Sequence, residues 1–478
     1  MRDPNASVDA GSSPRFTGQQ RLVLLVLLGA GFMLAVDFSI LNVALPQVGS
    51  GVGLDSTELA WVASAYALPA AGFTLLFGRL ADLFGRRRLL LSGMVVLAGA
   101  SLLGGLAANS EQLLAARMLQ GLATAMAIPA ALSLLTTTFP EGRTRERVLG
   151  MNGALLSGGF TAGALAGGTL VSVLGWRSTF LINVPFAVAV LVTAPLVISE
   201  SRAANRVKLD VPGAVTVTGG LLFIVYAVIE RHAAAAALGA LLLLAFWVVE
   251  RRSPAPLVPM SILRRPSVRW GNYAGFVIFT MEPAMIFLLT LYFQQVLNLS
   301  PLVTGLVFGV PGLAAVASGV VAGRVVGRFG AHRVLAVSMS VQALATIPLM
   351  FLGADRWALA IAIPALFVGF FGHVAAIVSY TVVGTSGLRN EEQGLATGLT
   401  SMTQQVAITV GIPILGAVAA TQSVQLTGLR LALGANVIFT LGSVALVWFG
   451  LRVRDRHRVA ADQIRLHADR EPVAAATR

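Results

Sequence analysis

The sequence reads as an all-α membrane protein: fourteen spanning helices, arranged as two related six-helix lobes with two further helices inserted between them. Three observations lead there. Hydrophobic residues make up 56% of the 478 positions and charged residues only 12%, whereas soluble domains carry about 25% charge; the mean hydropathy is +0.81. The apolar residues fall into runs of about 20, the length that crosses a bilayer as a helix. The chain also repeats itself. Gly78–Arg88, GRLADLFGRRR, is partly copied at Gly323–Arg333, GRVVGRFGAHR, and the same offset of 245 residues carries Asp37 onto Glu282. Each of these two acids is the only one in its apolar run. One buried carboxylate and one short cationic hairpin per half is the layout of a two-lobed transporter.

In chain order the runs cover roughly 22–46, 58–78, 89–107, 112–137, 148–172, 179–198, 211–230, 234–249, 268–293, 302–325, 334–353, 357–384, 395–420 and 431–451. They are too long and too uniformly apolar for a soluble core, and they lack the alternation of an outer-membrane barrel. The first 20 residues are polar and the run after them is long, with no small-residue cleavage site, so it reads as a retained span and not a removed signal. Under the offset, span 1 pairs with span 9 and span 2 with span 10. The expected division is a cytoplasmic segment 1–21, a first lobe 22–198, linkers with the two inserted spans 199–267, a second lobe 268–451 and a basic tail 452–478.

The loops set the orientation. The gaps 47–57, 108–111, 294–301 and 421–429 carry almost no Lys or Arg. The alternate gaps carry Arg86–Arg88, Arg143, Arg145, Arg147, Arg202, Arg206, Lys208, Arg251, Arg252, Arg264, Arg265, Arg328 and Arg333. Only Arg177, Arg231, Arg356 and Arg430 fall on the opposite side, with Arg117 inside a span. Basic loops stay cytoplasmic, so both termini are expected there, in the inner membrane of a bacterium.

Composition excludes several classes. The net charge of +13 is accounted for by those loops facing anionic lipid, so no nucleic-acid partner is expected. There is no cysteine, hence no disulfide or thiol chemistry, and Lys208 is the only lysine. No metal cluster, nucleophile–base pair or Walker-type phosphate loop is present, so an enzyme or an ATP-driven pump is not expected. The glycine-rich stretch Gly150–Gly168 lies in a span and follows no strand, which rules out a nucleotide fingerprint.

The hairpin spacing carries more than a basic loop needs. Gly78 and Gly85 allow close packing and a sharp turn, and Asp82 can hold one of Arg86–Arg88 or cap a helix start. This segment resembles the loop between helices 2 and 3 of the major facilitator superfamily. Leu113–Ala125, LLAARMLQGLATA, is similar to that superfamily's helix-4 motif, with Arg117, Gln120 and Gly121 in place. Ala35–Pro46, AVDFSILNVALP, resembles the helix-1 motif of drug:proton antiporters, with Asp37, Asn42 and Pro46 matching. Gly175–Pro185, GWRSTFLINVP, resembles the segment entering helix 6 in their fourteen-helix branch. The antiporter helix-5 motif, G-x8-G-x3-G-P-x2-G-G, is met by Gly150, Gly159, Gly163, Gly167 and Gly168, but Ala164 stands where proline is expected. Those glycines are expected to let span 5 pack against the other lobe and seal the pathway.

Depth links the charged groups. At 1.5 Å per residue, Asp37 lies about 22 Å into span 1, Glu282 about 21 Å into span 9, and Arg117 about 8 Å into span 4 from the opposite side. All three are therefore expected at one level, paired around a wet central cavity, because an isolated charge there costs about 2.5–3.5 kcal/mol. Asp37 reads either as a proton carrier or as a fixed partner of Arg117. Glu282 reads as a second acid, or as a cap on backbone freed by Pro283. His373 is expected nearer the cytoplasm. Tyr66, Asn42, Gln120, Phe279, Phe287, Tyr292 and His373 are the candidate cavity residues, with aromatic faces for flat substrates.

The resemblance implies a proton-coupled exporter of amphipathic small molecules such as drugs, dyes or antibiotics. Protons and membrane lipids would be its other partners, the proton gradient would replace any cofactor, and a monomer would be the working unit. An exporter of one metabolite or lipid, and a non-transporting sensor or scaffold favoured only by Ala164, are the competing readings.

Overall fold

The computed structural model describes residues 16–55, 58–139, 143–202, 210–253, 256–257, 260–386, 388 and 390–468. The expected boundaries in 1–15, 203–209 and 469–478 lie outside the described residues, as does every side chain after Leu451. Fourteen helical segments match the fourteen runs. They are α1 Gly18–Val52, α2 Leu59–Phe84, α3 Arg86–Gly105, α4 Ser110–Thr138, α5 Arg143–Leu174 and α6, built of Ser178–Leu181 and Asn183–Val197. Then follow α7 Val211–Ile229, α8 Ala233–Arg252, α9 Pro266–Leu291, α10 Pro301–Phe329, α11 Ala331–Thr346, α12 Ala358–Thr385, α13 Asn390–Ala419 and α14 Gln425–Ala468. Among the described residues thirteen are long and apolar enough to cross a membrane, α11 once its 3-10 continuation Ile347–Phe351 is included. The fourteenth, α2, qualifies once its halves Leu59–Thr74 and Leu76–Phe84, bent by 54°, are joined. At the bend the Thr74 hydroxyl bonds back to the Ala70 carbonyl at 2.6 Å, a contact that opens the helix ladder.

Helix starts follow from local chemistry. Thr17 and Gln20 form a capping box on α1, Asn109 caps α4, Asp210 caps α7, and Ser300 caps α10 with Pro301 in its first turn. α9 runs on as a π-turn, Tyr292–Val296. α14 continues well beyond the expected membrane limit at residue 451, to Ala468, so the basic tail begins as helix.

The repeat is visible in the backbone. Gly85 joins α2 to α3 with φ 117° and Gly330 joins α10 to α11 with φ 84°. Gly53 and Asn298, also 245 apart, both take positive φ, 80° and 52°. α1–α6 pack on one another as one lobe and α9–α14 as the other. The lobes meet along α5 with α10, α2 with α13 and α1 with α9. α7 lies in the α2–α13 seam, where Leu68 and Ala71 of α2, Val217 of α7 and Leu399 and Met402 of α13 share one apolar cluster; α8 leans on α7.

The N-terminus of α1 and the α2–α3 turn mark one face of the bundle, called here the near face. At the opposite, far face the lobes are bolted together. Gln47 donates to Gln294 at 2.9 Å, Gln294 to the Val43 carbonyl at 2.7 Å, and the Leu302 N–H to Ser172 at 3.2 Å. Gly168 of α5 touches the Pro301 and Gly305 backbone of α10, and Gly309 and Gly312 of α10 meet Leu165 and Thr161. Toward the near face Gly153 and Gly158 of α5 and Gly319, Gly323 and Gly327 of α10 have open space at the Cβ position among the described residues.

Candidate functional site

The first lobe buries a polar cluster drawn from five helices. Asp37 of α1 is fully buried and Arg117 of α4 is 1% exposed. Their charged atoms, Oδ2 and Nη1, lie 3.5 Å apart. Gln120, one turn along α4, donates from Nε2 to Asp37 Oδ1 at 3.0 Å and to the Ser101 hydroxyl of α3 at 3.0 Å, and accepts from Arg117 at 2.8 Å. Asn183 of α6 donates to the same Asp37 oxygen at 2.5 Å. Arg117 Nε donates to the Val62 carbonyl of α2 at 3.1 Å. Its guanidinium sits 4.4 Å from the Tyr66 ring centre, and the Tyr66 hydroxyl is 2.7 Å from that of Thr124.

Local sequence makes this packing feasible. A Cβ on Gly121 would stand 2.0 Å from the Tyr66 carbonyl, so that glycine lets α4 approach α2 closely enough for the stack. Asn183 opens the second piece of α6, after a break at Ile182. Pro185 lacks the N–H that would bond the Leu181 carbonyl, yet Ile182 keeps helical dihedrals, φ −59° and ψ −27°, and the amide meets Asp37 from the buried side of α6. Two charges taken from water are stabilised only when further hydrogen bonds support them; here three neighbours, Gln120, Asn183 and the Val62 carbonyl, make four such bonds.

The second lobe holds a sparser pair. Glu282 of α9 and His373 of α12 approach at 3.7 Å between Oε2 and Nε2, each 5% exposed. Phe279 stands edge-on to His373 at 5.9 Å and to Tyr380 at 5.8 Å, and Phe370 lies 6.1 Å from His373. Two expectations change. Glu282 pairs with His373 and not with the Asp37–Arg117 couple, because α9 turns that residue toward α12. His373, expected nearer the cytoplasm, meets Glu282 side chain to side chain.

Between the lobes runs a narrow cleft, walled by Ser39, Asn42 and Phe160 on one side and Ile286, Phe308 and Phe370 on the other. Of the expected cavity residues, Asn42 lines it. Tyr66 and Gln120 belong to the polar cluster instead. Phe279 packs on His373, and Phe287 is buried in the core. Tyr292 lies near the far face, bonding the Gly353 carbonyl at 2.6 Å. Each side chain follows the face of its helix, which residue type alone does not reveal.

The hairpin is tied to its own lobe. Arg86 pairs with Asp82 at 2.8 Å, and Gly78 packs near Pro129 of α4. Glu200, after α6, accepts the N–H groups of Arg87 and Arg88 at 3.0 and 3.1 Å, an acid capping the positive end of α3. Arg87 donates to the Ile198 carbonyl at 2.9 Å. A Cβ on Gly85 would stand 2.7 Å from the Glu200 carboxyl group.

The α5 glycines act differently from expectation. Gly159, Gly163 and Gly167 lie against Phe32, Val36, Ser39 and Ile40 of α1, within their own lobe, and only Gly168 faces α10. Gly150 is helical, but its surroundings lie outside the described residues. The smooth surface at the lobe boundary comes from Gly305, Gly309 and Gly312 of α10, which sequence reading passed over.

A bundle of membrane-length helices in two pseudo-repeated lobes, with buried charges near a central cleft, defines a membrane transporter. Residues 27–412 match the family model for the Major Facilitator Superfamily, and the chain belongs to that superfamily. It is 35% identical to the cephamycin export protein CmcT of Amycolatopsis lactamdurans over 86% of this chain and 87% of that one. It is 34% identical to the puromycin resistance protein pur8 of Streptomyces alboniger over 83% and 81%. A solved POT family transporter in complex with a thioalcohol-conjugated peptide shares the fold, with a TM-score of 0.70 at 14% identity over 89% of this chain and 95% of that one. The protein is therefore a multi-span transporter of small molecules and not an enzyme.

Proposed function

We propose that the protein is a proton-coupled exporter of amphipathic small molecules, with Asp37 as the proton carrier and Arg117 as its counter-charge. The observation that carries this reading is the fully buried Asp37, held by Arg117, Gln120 and Asn183 one α1 turn from the cleft residues Ser39 and Asn42. A carboxylate in that position is costly and has two protonation states to exchange. The near face, which carries the arginine-rich turns, is cytoplasmic, and the protein sits in a bacterial cell membrane and works as a monomer. The inter-lobe bonds at the far face and the open space at the near-face glycines of α5 and α10 support reading this arrangement as the cytoplasm-facing arm of an alternating-access cycle. Glu282 attracts cationic substrates. The superfamily relatives named for cephamycin and puromycin favour a narrow antibiotic-like substrate as the second reading.

Everted vesicles with an acid interior test the proposal. A panel of lipophilic cations, neutral drugs and antibiotics is added to vesicles carrying wild type or Asp37→Asn. Dissipation of the gradient by some compound in wild type alone supports it. If no compound does so although the protein is present and folded, the exchanger reading fails.

A further inference from the structure

Asp37 and Asn183 meet through one bond and leave two buried atoms over. The amide Nδ2 donates to Asp37 Oδ1 at 2.5 Å. The other oxygen of each side chain, Asp37 Oδ2 and Asn183 Oδ1, has no hydrogen-bond partner among the described residues, although both residues are fully buried. Oδ2 has Arg117 Nη1 at 3.5 Å, beyond normal hydrogen-bond length. Leaving such atoms unpaired costs about 1–3 kcal/mol each. While Asp37 is ionised neither can help the other, since both only accept.

A proton changes that. A protonated carboxyl carries one O–H donor, and a carboxylic acid beside a carboxamide can close a ring of two hydrogen bonds: amide N–H to acid oxygen, and acid O–H to amide oxygen. The first of these bonds is already in place, and the two unpaired oxygens are the atoms the second would join.

We propose that Asn183 is the residue that receives the proton-loaded state of Asp37, accepting a hydrogen bond at its Oδ1 from a proton on Asp37 Oδ2, while Arg117 holds the unloaded carboxylate. The inference rests on the reading of Asp37 as proton carrier. It gives the carboxyl a dedicated partner in each state: a guanidinium from α4 when charged, an amide from α6 when neutral. Loading then moves Asp37 Oδ2 from Arg117 of α4 to Asn183 of α6, while Gln120 keeps Oδ1, and leaves Arg117 with Gln120, the Val62 carbonyl and the Tyr66 ring. Asn183 is a positioning residue: it acts through Asp37 and lies outside the residues that wall the cleft.

The other titratable groups bearing on Asp37 are few. Arg117 and, stacked upon it, Tyr66 come from α4 and α2. Residues 148–174 of α5 and 178–197 of α6 include no titratable residue. On α9, Glu282 is engaged by His373, and the α10 arginines begin at Arg324, toward the near face.

The test is an infrared pH titration of the purified full-length protein in lipid, following the carboxylic acid carbonyl band that disappears in Asp37→Asn. Asn183→Leu removes one bond from the carboxylate but two from the acid. The expected result is that Asp37 loses its proton at a pH lower by about one unit than in wild type, with the acid band moved to higher frequency. If Asn183 served only as a donor to the carboxylate, the midpoint would move up; an upward or absent shift overturns the proposal while the proton-carrier reading stands. If no band in wild type belongs to Asp37 at any accessible pH, the proton-carrier reading itself fails. Asn183→Ala is the second variant should leucine not be accommodated, and Asn183→Gln, which keeps the amide, should return the midpoint toward wild type.

Discussion

Asp37 and Glu282 occupy equivalent positions in the two halves, 245 residues apart, yet their surroundings have little in common. Asp37 has a guanidinium, two amides and, through Gln120, a hydroxyl, all within the first lobe. Glu282 has one ion-pair partner among the described residues, the His373 imidazole at 3.7 Å, and it is that imidazole on which Phe279 and Phe370 pack. A duplicated fold sets the depth of a carboxyl group but not its chemistry; that is decided by what the neighbouring helices present. One half holds its charge against a permanent counter-charge. The other holds an acid beside a group that is itself charged only when protonated, under Phe370, a residue of the cleft wall. The first arrangement suits a tightly governed proton, the second a cation arriving from the cleft.

Removing the counter-charge should break this contrast most strongly. Arg117→Ala leaves Asp37 buried and unpaired, which costs about 3–5 kcal/mol. The neutral acid needs no counter-charge, so the loss should shrink as pH falls. Thermal unfolding in detergent at two pH values should show a large deficit at neutral pH and a smaller one in acid. A deficit independent of pH would mean that packing on Tyr66, and not charge, is what the arginine supplies.

The paired turns sharpen the comparison at the level of backbone. Gly85 and Gly330 share an unusual positive φ, but a Cβ on Gly85 meets Glu200 whereas one on Gly330 meets open space. Alanine at Gly85 should cost toward the upper end of about 1–3 kcal/mol and alanine at Gly330 toward the lower end. Equal costs in thermal unfolding would show that the Glu200 cap moves aside freely.

Glu282→Gln should weaken transport of cationic compounds by about tenfold in apparent affinity, about 1.4 kcal/mol, and leave neutral compounds unaffected. An equal loss for both classes would deny the cation role. The smallest effect is expected at Ala164. Proline inside a helix costs about 3 kcal/mol, partly through the orphaned carbonyl four residues back. That carbonyl, Phe160, already accepts from the Ser39 hydroxyl at 2.5 Å. Ala164→Pro should therefore cost only about 1 kcal/mol, and the larger penalty should return when Ser39→Ala is added.

Much of this architecture was legible in the sequence. Span lengths, the repeat and the buried acids follow from hydropathy and spacing, and the pairing of Asp37 with Arg117 followed from depth. What escaped was rotation about helix axes. Asn183 lies in a recognised segment, but residue type and spacing do not show that its face of α6 meets Asp37. Gln120 and Tyr66 were placed on the cavity, one helix face away from where packing puts them. Glu200, distant in sequence from the α3 start it caps, carries no local signal. The α5 glycines were assigned to the wrong neighbour because spacing shows that a helix has a smooth face and not which helix fills it.

The central claim is that coupling resides in the Asp37 cluster and not in its counterpart. It is tested most directly by substrate-driven collapse of an acid-inside gradient in everted vesicles, using one neutral substrate and comparing Asp37→Asn with Glu282→Gln at equal protein. The account predicts that Asp37→Asn abolishes the collapse and Glu282→Gln preserves it. Collapse surviving in Asp37→Asn but lost in Glu282→Gln would contradict it and move the proton to the second lobe.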